Sequence, residues 1–150
     1  MTTWQWRTFD ALTPNELYDI LALRQEVFVL EQNCLYTDLD YKDHHALHLL
    51  GKEGDKLVSY LRLLPENIAY KEAVSIGRVA TSPQARGLGL GRAAMLETLL
   101  YLKKSHTLVP IVISAQAYLI KFYESFGFQA LGEQYDEDGI PHIKMQKEPT

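Results

Sequence analysis

Val79-Ala80-Thr81-Ser82-Pro83-Gln84-Ala85-Arg86-Gly87-Leu88-Gly89-Leu90-Gly91-Arg92 leads from an apolar strand, through a turn of alternating glycines, into a helix. Without side chains at Gly87, Gly89 and Gly91, the backbone can approach a large anion. The unpaired N–H groups at the start of the helix then point at that anion, and the helix dipole favours its charge. Arg86 and Arg92 flank the turn and are long enough to reach phosphate oxygens. A glycine-rich strand-to-helix connection without a ligand remains open on the glycines alone. The G-x-G-x-G spacing departs from the dinucleotide pattern G-x-G-x-x-G, and no Gly-Lys-Ser/Thr follows to make a P-loop.

Outward from this turn the chain reads as alternating strands and helices. Residues 4–9 alternate as a first strand. Thr13 and Glu16 have capping-box spacing with Pro14 at the first helical position, and Leu17, Ile20, Leu21, Val27 and Phe28 carry a helical stripe to about Leu30. Residues 31–45 are acidic and irregular. Residues 46–50 and 56–64 form a hairpin over residues 51–55, and residues 74–80 make the strand before the glycine turn. The helix at 92–104 is expected to bury Ala93, Leu96, Leu99 and Leu100, with Lys103 and Lys104 complementing its C-terminal dipole. A short strand at 111–114, a helix at 117–126 ended by Gly127, and a final hairpin over residues 136–139 complete the order β-α-β-β-β-α-β-α-β-β. The class is α/β of the α+β type: a mixed, mostly antiparallel sheet flanked by helices.

The 150 residues carry 47% apolar and 23% charged side chains, which suits one domain over residues 1–150. The net charge of −4 disfavours a nucleic-acid partner. Cys34 is the single cysteine, so neither an intrachain disulfide nor a cysteine-built zinc site is available. No basic-then-apolar leader opens the chain, and no apolar run approaches the ~20 residues of a membrane span. A soluble, cytoplasmic protein is expected. Exposed edges in the last hairpin leave room for a homodimer.

The stretch Gln84-Ala85-Arg86-Gly87-Leu88-Gly89 resembles the acyl-CoA signature Gln/Arg-x-x-Gly-x-Gly/Ala of the GNAT acetyltransferases. Phe122-Tyr123-Glu124-Ser125-Phe126-Gly127-Phe128 resembles a later helix of that superfamily, in which a Tyr precedes Gly-Phe by four residues. Residues 24–32, Asp40 and Asp43 before His48, and residues 138–143 are similar to the ElaA-like group within it. The resemblance implies a GNAT fold and acetyl-CoA as donor. It also implies that backbone groups of Val79, Ala80 and Thr81 hold the pantetheine arm and that residues Gln84, Ala85, Arg86, Gly87, Leu88, Gly89, Leu90, Gly91 and Arg92 cradle the pyrophosphate. Gln116, where many members carry Asn, and Phe122 are placed along the cofactor.

Transfer of an acyl group from a thioester to an amine needs a neutral amine, donors for the carbonyl oxygen and a proton for the leaving sulfur. An amine of pKa about 10.4 costs roughly 4–5 kcal/mol to neutralise at pH 7. Tyr123 is the candidate general acid, since a phenol stays protonated there; a core aromatic is the alternative. No single base stands out among Glu26, Glu31, Asp40, Asp43, His44, His45 and His48, although their joint acidity favours a cationic acceptor. Arg24, inside an apolar stripe, needs a carboxylate from Asp38, Asp40 or Asp43, either as an ion pair pinning the acidic segment or as a substrate contact. Glu26, Glu31, His48, Arg78 and His142 are further acceptor-side candidates. His44 and His48 lie four apart, but with His48 on a strand and no third ligand no metal site is read. The expected activity is N-acetylation of a primary amine on a small molecule or peptide. An acyl-homoserine-lactone-synthase-like acyltransferase, sharing the Arg–Val-Phe helix, and a non-catalytic CoA-binding module are the alternatives.

Overall fold

A computed structural model describes residues 1–150. Strand β1 (Thr3–Thr8) is followed by helix α1 (Pro14–Arg24). The capping box forms as its spacing requires: the Glu16 amide donates to Thr13 Oγ1 at 3.1 Å, and the Thr13 amide donates to Glu16 Oε1 at 3.0 Å. The α-helix stops at Arg24, and Gln25–Glu31 continues as a wider π-helical stretch. Such stretches are rare and concentrate near functional sites.

Strands β2 (Leu47–Glu53), β3 (Lys56–Leu64) and β4 (Ser75–Thr81) follow, and with β1 they form an antiparallel sheet in the order β1-β2-β3-β4. Helix α2 (Leu90–Lys104), strand β5 (Ile111–Gln116), helix α3 (Ile120–Glu124) and strands β6 (Gln129–Glu137) and β7 (Ile140–Lys147) complete the chain. The last three strands form a second antiparallel sheet, β5-β7-β6.

The middle strands are buried on both faces. Leu49 and Leu61 pack with α2 residues Ala94 and Met95, while Leu50 and Tyr60 face Ile20 and Leu23 of α1. The α2 side continues into the second sheet through Ile113, Phe128 and Met145, so one apolar cluster spans both sheets.

Two expectations are corrected. The buried stripe of α2 is Leu90, Ala94, Met95, Thr98 and Leu102, whereas Leu96 and Leu100 are exposed. The reason is Thr98, whose hydroxyl donates to Ala94 O at 2.9 Å; a polar residue satisfied within its own helix can enter the core. The helix expected at 117–126 is divided, with a 3₁₀ turn at Ala117–Leu119 before α3. Gly127 does end it, with φ of +96°.

The sheets meet where β4 and β5 start. Val74 and Ile111 form a parallel bridge, with the Val74 amide donating to Pro110 O (3.1 Å) and the Val112 amide donating to Val74 O (2.9 Å). Beyond this bridge the two strands belong to different sheets. A wedge opens between them.

Candidate active site

The wedge is the mouth of a cavity of about 970 Å³, at the upper end of the range for small-molecule sites. Ser75, Ile76, Gly77, Arg78 and Val79 of β4 all line it. A strand shows only alternate side chains to one face, so consecutive lining residues mean that the cavity meets the edge of β4. At Arg78 the strand bulges against β3, with φ of +50°. Bulges re-aim side chains near active sites.

The glycine turn closes one end of the cavity. Gly87 (φ +82°) and Gly89 (φ +74°) are left-handed, Gly89 is the N-cap of α2, and a Cβ at either would meet nothing within 4 Å. The turn therefore leaves open space in front of the helix N-terminus, as an anion cradle would. Thr81, Ala85, Arg86, Gly87, Gly89, Leu90, Gly91 and Arg92 line the cavity. Gln84 and Leu88 do not: Gln84 Oε1 accepts from Ser82 Oγ at 2.7 Å and Leu88 points to solvent. Ala80 is buried against α1. Arg92 lies over the Phe126 ring at 4.9 Å. Arg86 is engaged by Glu31 through two hydrogen bonds of 2.5 and 2.6 Å, which ties the π-helical stretch to the turn.

Tyr123, Phe122 and Gln116 line the middle of the cavity. Burial pushes the Tyr123 phenol up to about 12, with Tyr118 adding to the shift. Gln116 Nε2 donates to Gln32 Oε1 at 3.3 Å.

The acidic segment is closed on itself by three arginines. Asp38 accepts from Arg24 Nε (3.0 Å) and Arg78 Nε (2.8 Å). Asp40 takes both Nη atoms of Arg62, at 2.9 and 2.5 Å. Asp43 Oδ1 accepts from Arg24 at 2.7 Å and Arg62 at 3.0 Å. Burial would raise the Asp40 and Asp43 carboxyls, but Arg62 on the first and Arg24 on the second hold both below the usual range. Three carboxylates thus meet three guanidiniums, and the expected excess of negative charge is cancelled internally. Arg62 is the partner the sequence reading missed; its signal was a charged residue between Leu61 and Leu63 in an otherwise apolar strand.

Three acceptor-side candidates, Arg24, Glu26 and His48, lie off the cavity, and a fourth, Glu31, lines it but is already paired. Arg24 is fully buried outside the cavity and pins the acidic segment to α1. His48 is fully buried between Tyr60 Oη (2.6 Å) and Asp43 O (3.0 Å), and burial lowers its affinity for a proton. Glu26 is exposed and outside the cavity lining. Glu31 is on the lining but held by Arg86. Arg78 and His142 do line the cavity, and so does Glu137, which the sequence reading did not single out. His142 Nε2 lies 3.3 Å from Glu137 Oε2.

A sheet split at the β4–β5 wedge, with a glycine-rich turn and helix N-terminus at one end, is an acyltransferase architecture. An acetyltransferase (GNAT) domain model matches residues 10–149, and the chain belongs to the GNAT acetyltransferase family. Protein ElaA of Escherichia coli strain K12 is 43% identical over 150 residues, covering 99% of this chain and 97% of its own. The crystal structure of Escherichia coli ElaA superposes with a TM-score of 0.91 over 99% of this chain and 100% of that one. An acyl-CoA N-acyltransferase from Pseudomonas aeruginosa, 40% identical, superposes with a TM-score of 0.92 over 98% of this chain and 99% of that one. The fold is GNAT, α+β, and no helix is long and apolar enough to cross a membrane.

Proposed function

We propose that this chain, as one domain over residues 1–150, moves an acetyl group from acetyl-CoA to a primary amine of a cytoplasmic small molecule or peptide by direct attack. The observation that carries this reading is the placement of Tyr123, a buried phenol on the same cavity as the open glycine turn. Bound acetyl-CoA would supply the acyl carbon and a thiolate leaving group. The turn from Ala85 to Arg92 would take the pyrophosphate, and the free edge of β4 would align the pantetheine arm by backbone hydrogen bonds.

Tyr123 keeps its proton across the neutral range, since its phenol is pushed up to about 12. A free thiol has a pKa of about 8.5, so transfer to a solvated thiolate would be uphill. The burial that raises the phenol also raises a thiolate departing beside it, which brings donor and acceptor closer together. Tyr123 then acts as general acid to the sulfur.

The test is thiol release from acetyl-CoA over a panel of polyamines, lysine analogues, amino sugars, aminoglycosides and peptides. Turnover with an amine supports the reading, while tight CoA binding without turnover on any of them refutes it. Tyr123→Phe should lower kcat about 10²–10⁴-fold, the usual range for general acid–base catalysis, with CoA affinity by calorimetry changed less than about twofold. Unchanged turnover in Tyr123→Phe would remove Tyr123 from the mechanism.

A further inference from the structure

The base that strips the acceptor amine has no candidate left in the acidic segment. Asp40 and Asp43 are held as carboxylates by arginines, Glu31 is paired with Arg86, and His48 is sealed in the core. Glu26, His44 and His45 are exposed and off the cavity. On the opposite wall, strand β7 brings His142 to the cavity between Gln116 of β5 and Tyr135 of β6.

Two contacts define the state of this ring. Nδ1 lies 2.8 Å from Ile140 O; a carbonyl can only accept, so Nδ1 carries a hydrogen. The neutral ring therefore presents its lone pair at Nε2, 3.3 Å from Glu137 Oε2. Two lone pairs face each other, and one added proton completes the contact. Glu137 is itself placed by Ser114, whose Oγ donates to Oε1 at 3.2 Å, and its side chain is 47% exposed at the rim. Tyr135 stacks beside the imidazole at 6.3 Å.

Resting on the N-acetyltransfer reading, we propose that His142, oriented by Glu137, is the general base for the acceptor ammonium. The ammonium proton passes to His142 Nε2. The freed nitrogen pair forms the C–N bond to the acyl carbon, the C–S bond breaks with its electron pair on sulfur, sulfur takes the Tyr123 proton, and the nitrogen, cationic once bonded, gives up its second proton to solvent. His142 returns its proton to solvent past the exposed Glu137, and Tyr123 regains one from solvent, so amide, free thiol and one proton leave. The other titratable groups on this side are Asp138 in the β6–β7 turn, whose carbonyl accepts from Cys34 Sγ at 3.2 Å, Tyr135, Tyr70, whose phenol is raised by burial and by Tyr135 and Glu137, and Lys144, whose Nζ lies 5.1 Å over the Tyr70 ring; β5 contributes Ser114 and Gln116, which do not titrate. Across the cavity Arg78 is tied to Asp38.

The experiment measures kcat/KM against pH for the wild type, His142→Gln and Glu137→Gln with an amine from the active panel, alongside CoA binding by calorimetry and thermal melts. In His142→Gln, kcat should fall about 10²–10⁴-fold and the acid limb of the profile should vanish, with CoA affinity unchanged. In Glu137→Gln, a rim substitution that tests the dyad even if His142→Gln fails to fold, kcat/KM should fall across the profile because the ring loses the group that orients it. A His142→Gln enzyme within threefold of wild type, or a Glu137→Gln profile superimposable on wild type, overturns the proposal while leaving N-acetyltransfer standing. A wild type inactive on every amine overturns both.

Discussion

Replacing Arg24 by Met tests whether the buried charge lattice, and not helix propensity, holds the acidic segment against α1. The side chain is fully buried and donates three hydrogen bonds: to Asp38 Oδ2 at 3.0 Å, Asp43 Oδ1 at 2.7 Å and Asp38 O at 3.1 Å. Methionine fills similar space but leaves both carboxylates short of one partner. Removing one member of a buried ion pair costs about 3–5 kcal/mol. Asp38 keeps Arg78 and Asp43 keeps Arg62, so the lower figure, about 3 kcal/mol, applies. For a chain of this size each kcal/mol moves Tm by about 2–4 °C, which gives a drop of about 6–12 °C. Urea titration at pH 7 reads the same loss as a lower midpoint at constant m. The pH dependence has a definite sign. Asp40 and Asp43 are depressed in the folded protein, so their stabilisation is present above the unfolded value of about 3.9 and is lost as pH falls through their folded values. Without Arg24 the depression of Asp43 shrinks, so less stability remains to be lost, and the gap between variant and wild type should narrow below about pH 4. A loss under about 1 kcal/mol at pH 7 would refute the reasoning, by showing that desolvation of the lattice nearly balances its attraction.

Two further substitutions separate folding from binding. A Cβ on Gly51 would sit 2.6 Å from the Trp4 ring, so Gly51→Ala should destabilise by about 1–3 kcal/mol in the same urea titration, as overpacking does, while CoA affinity stays constant; an unchanged midpoint would mean that Trp4 moves aside freely. Glu31→Gln should release Arg86 from its bidentate pair and tighten CoA binding up to about fivefold, since a pair this exposed is worth about 0.2–1 kcal/mol. Weaker CoA binding in Glu31→Gln would show that Glu31 supports the cradle and does not compete with the ligand for Arg86.

The parts of this molecule that were legible in its sequence are those whose cause is local. The capping box at Thr13 and Glu16, and the glycine turn leading into α2, follow from requirements met within a few residues. The phase of α2 was not legible, because Thr98 enters the core only by turning its hydroxyl to Ala94 O, and residue type alone places threonine on the wet face. The chemistry of the cavity was misread for a different reason. Asp38 and Arg78 are 40 residues apart, Asp40 and Arg62 are 22 apart, and their pairing exists only once β4 lies beside β3 with the acidic segment over it.

That cancellation changes what the cavity can select. A segment rich in carboxylates suggests a site that attracts any cation, but here each Asp of the lattice has guanidinium partners within 3.0 Å. Long-range steering by net charge is therefore weak on this wall, and discrimination must come from short-range hydrogen bonding to the few groups left uncommitted. Glu137 and His142 are free of the guanidinium lattice, on strands whose register places His142 between Gln116 and Tyr135. The acidic segment holds its side of the cavity by ion pairing, and in the proposed mechanism β6 and β7 supply the base while α3 supplies the acid.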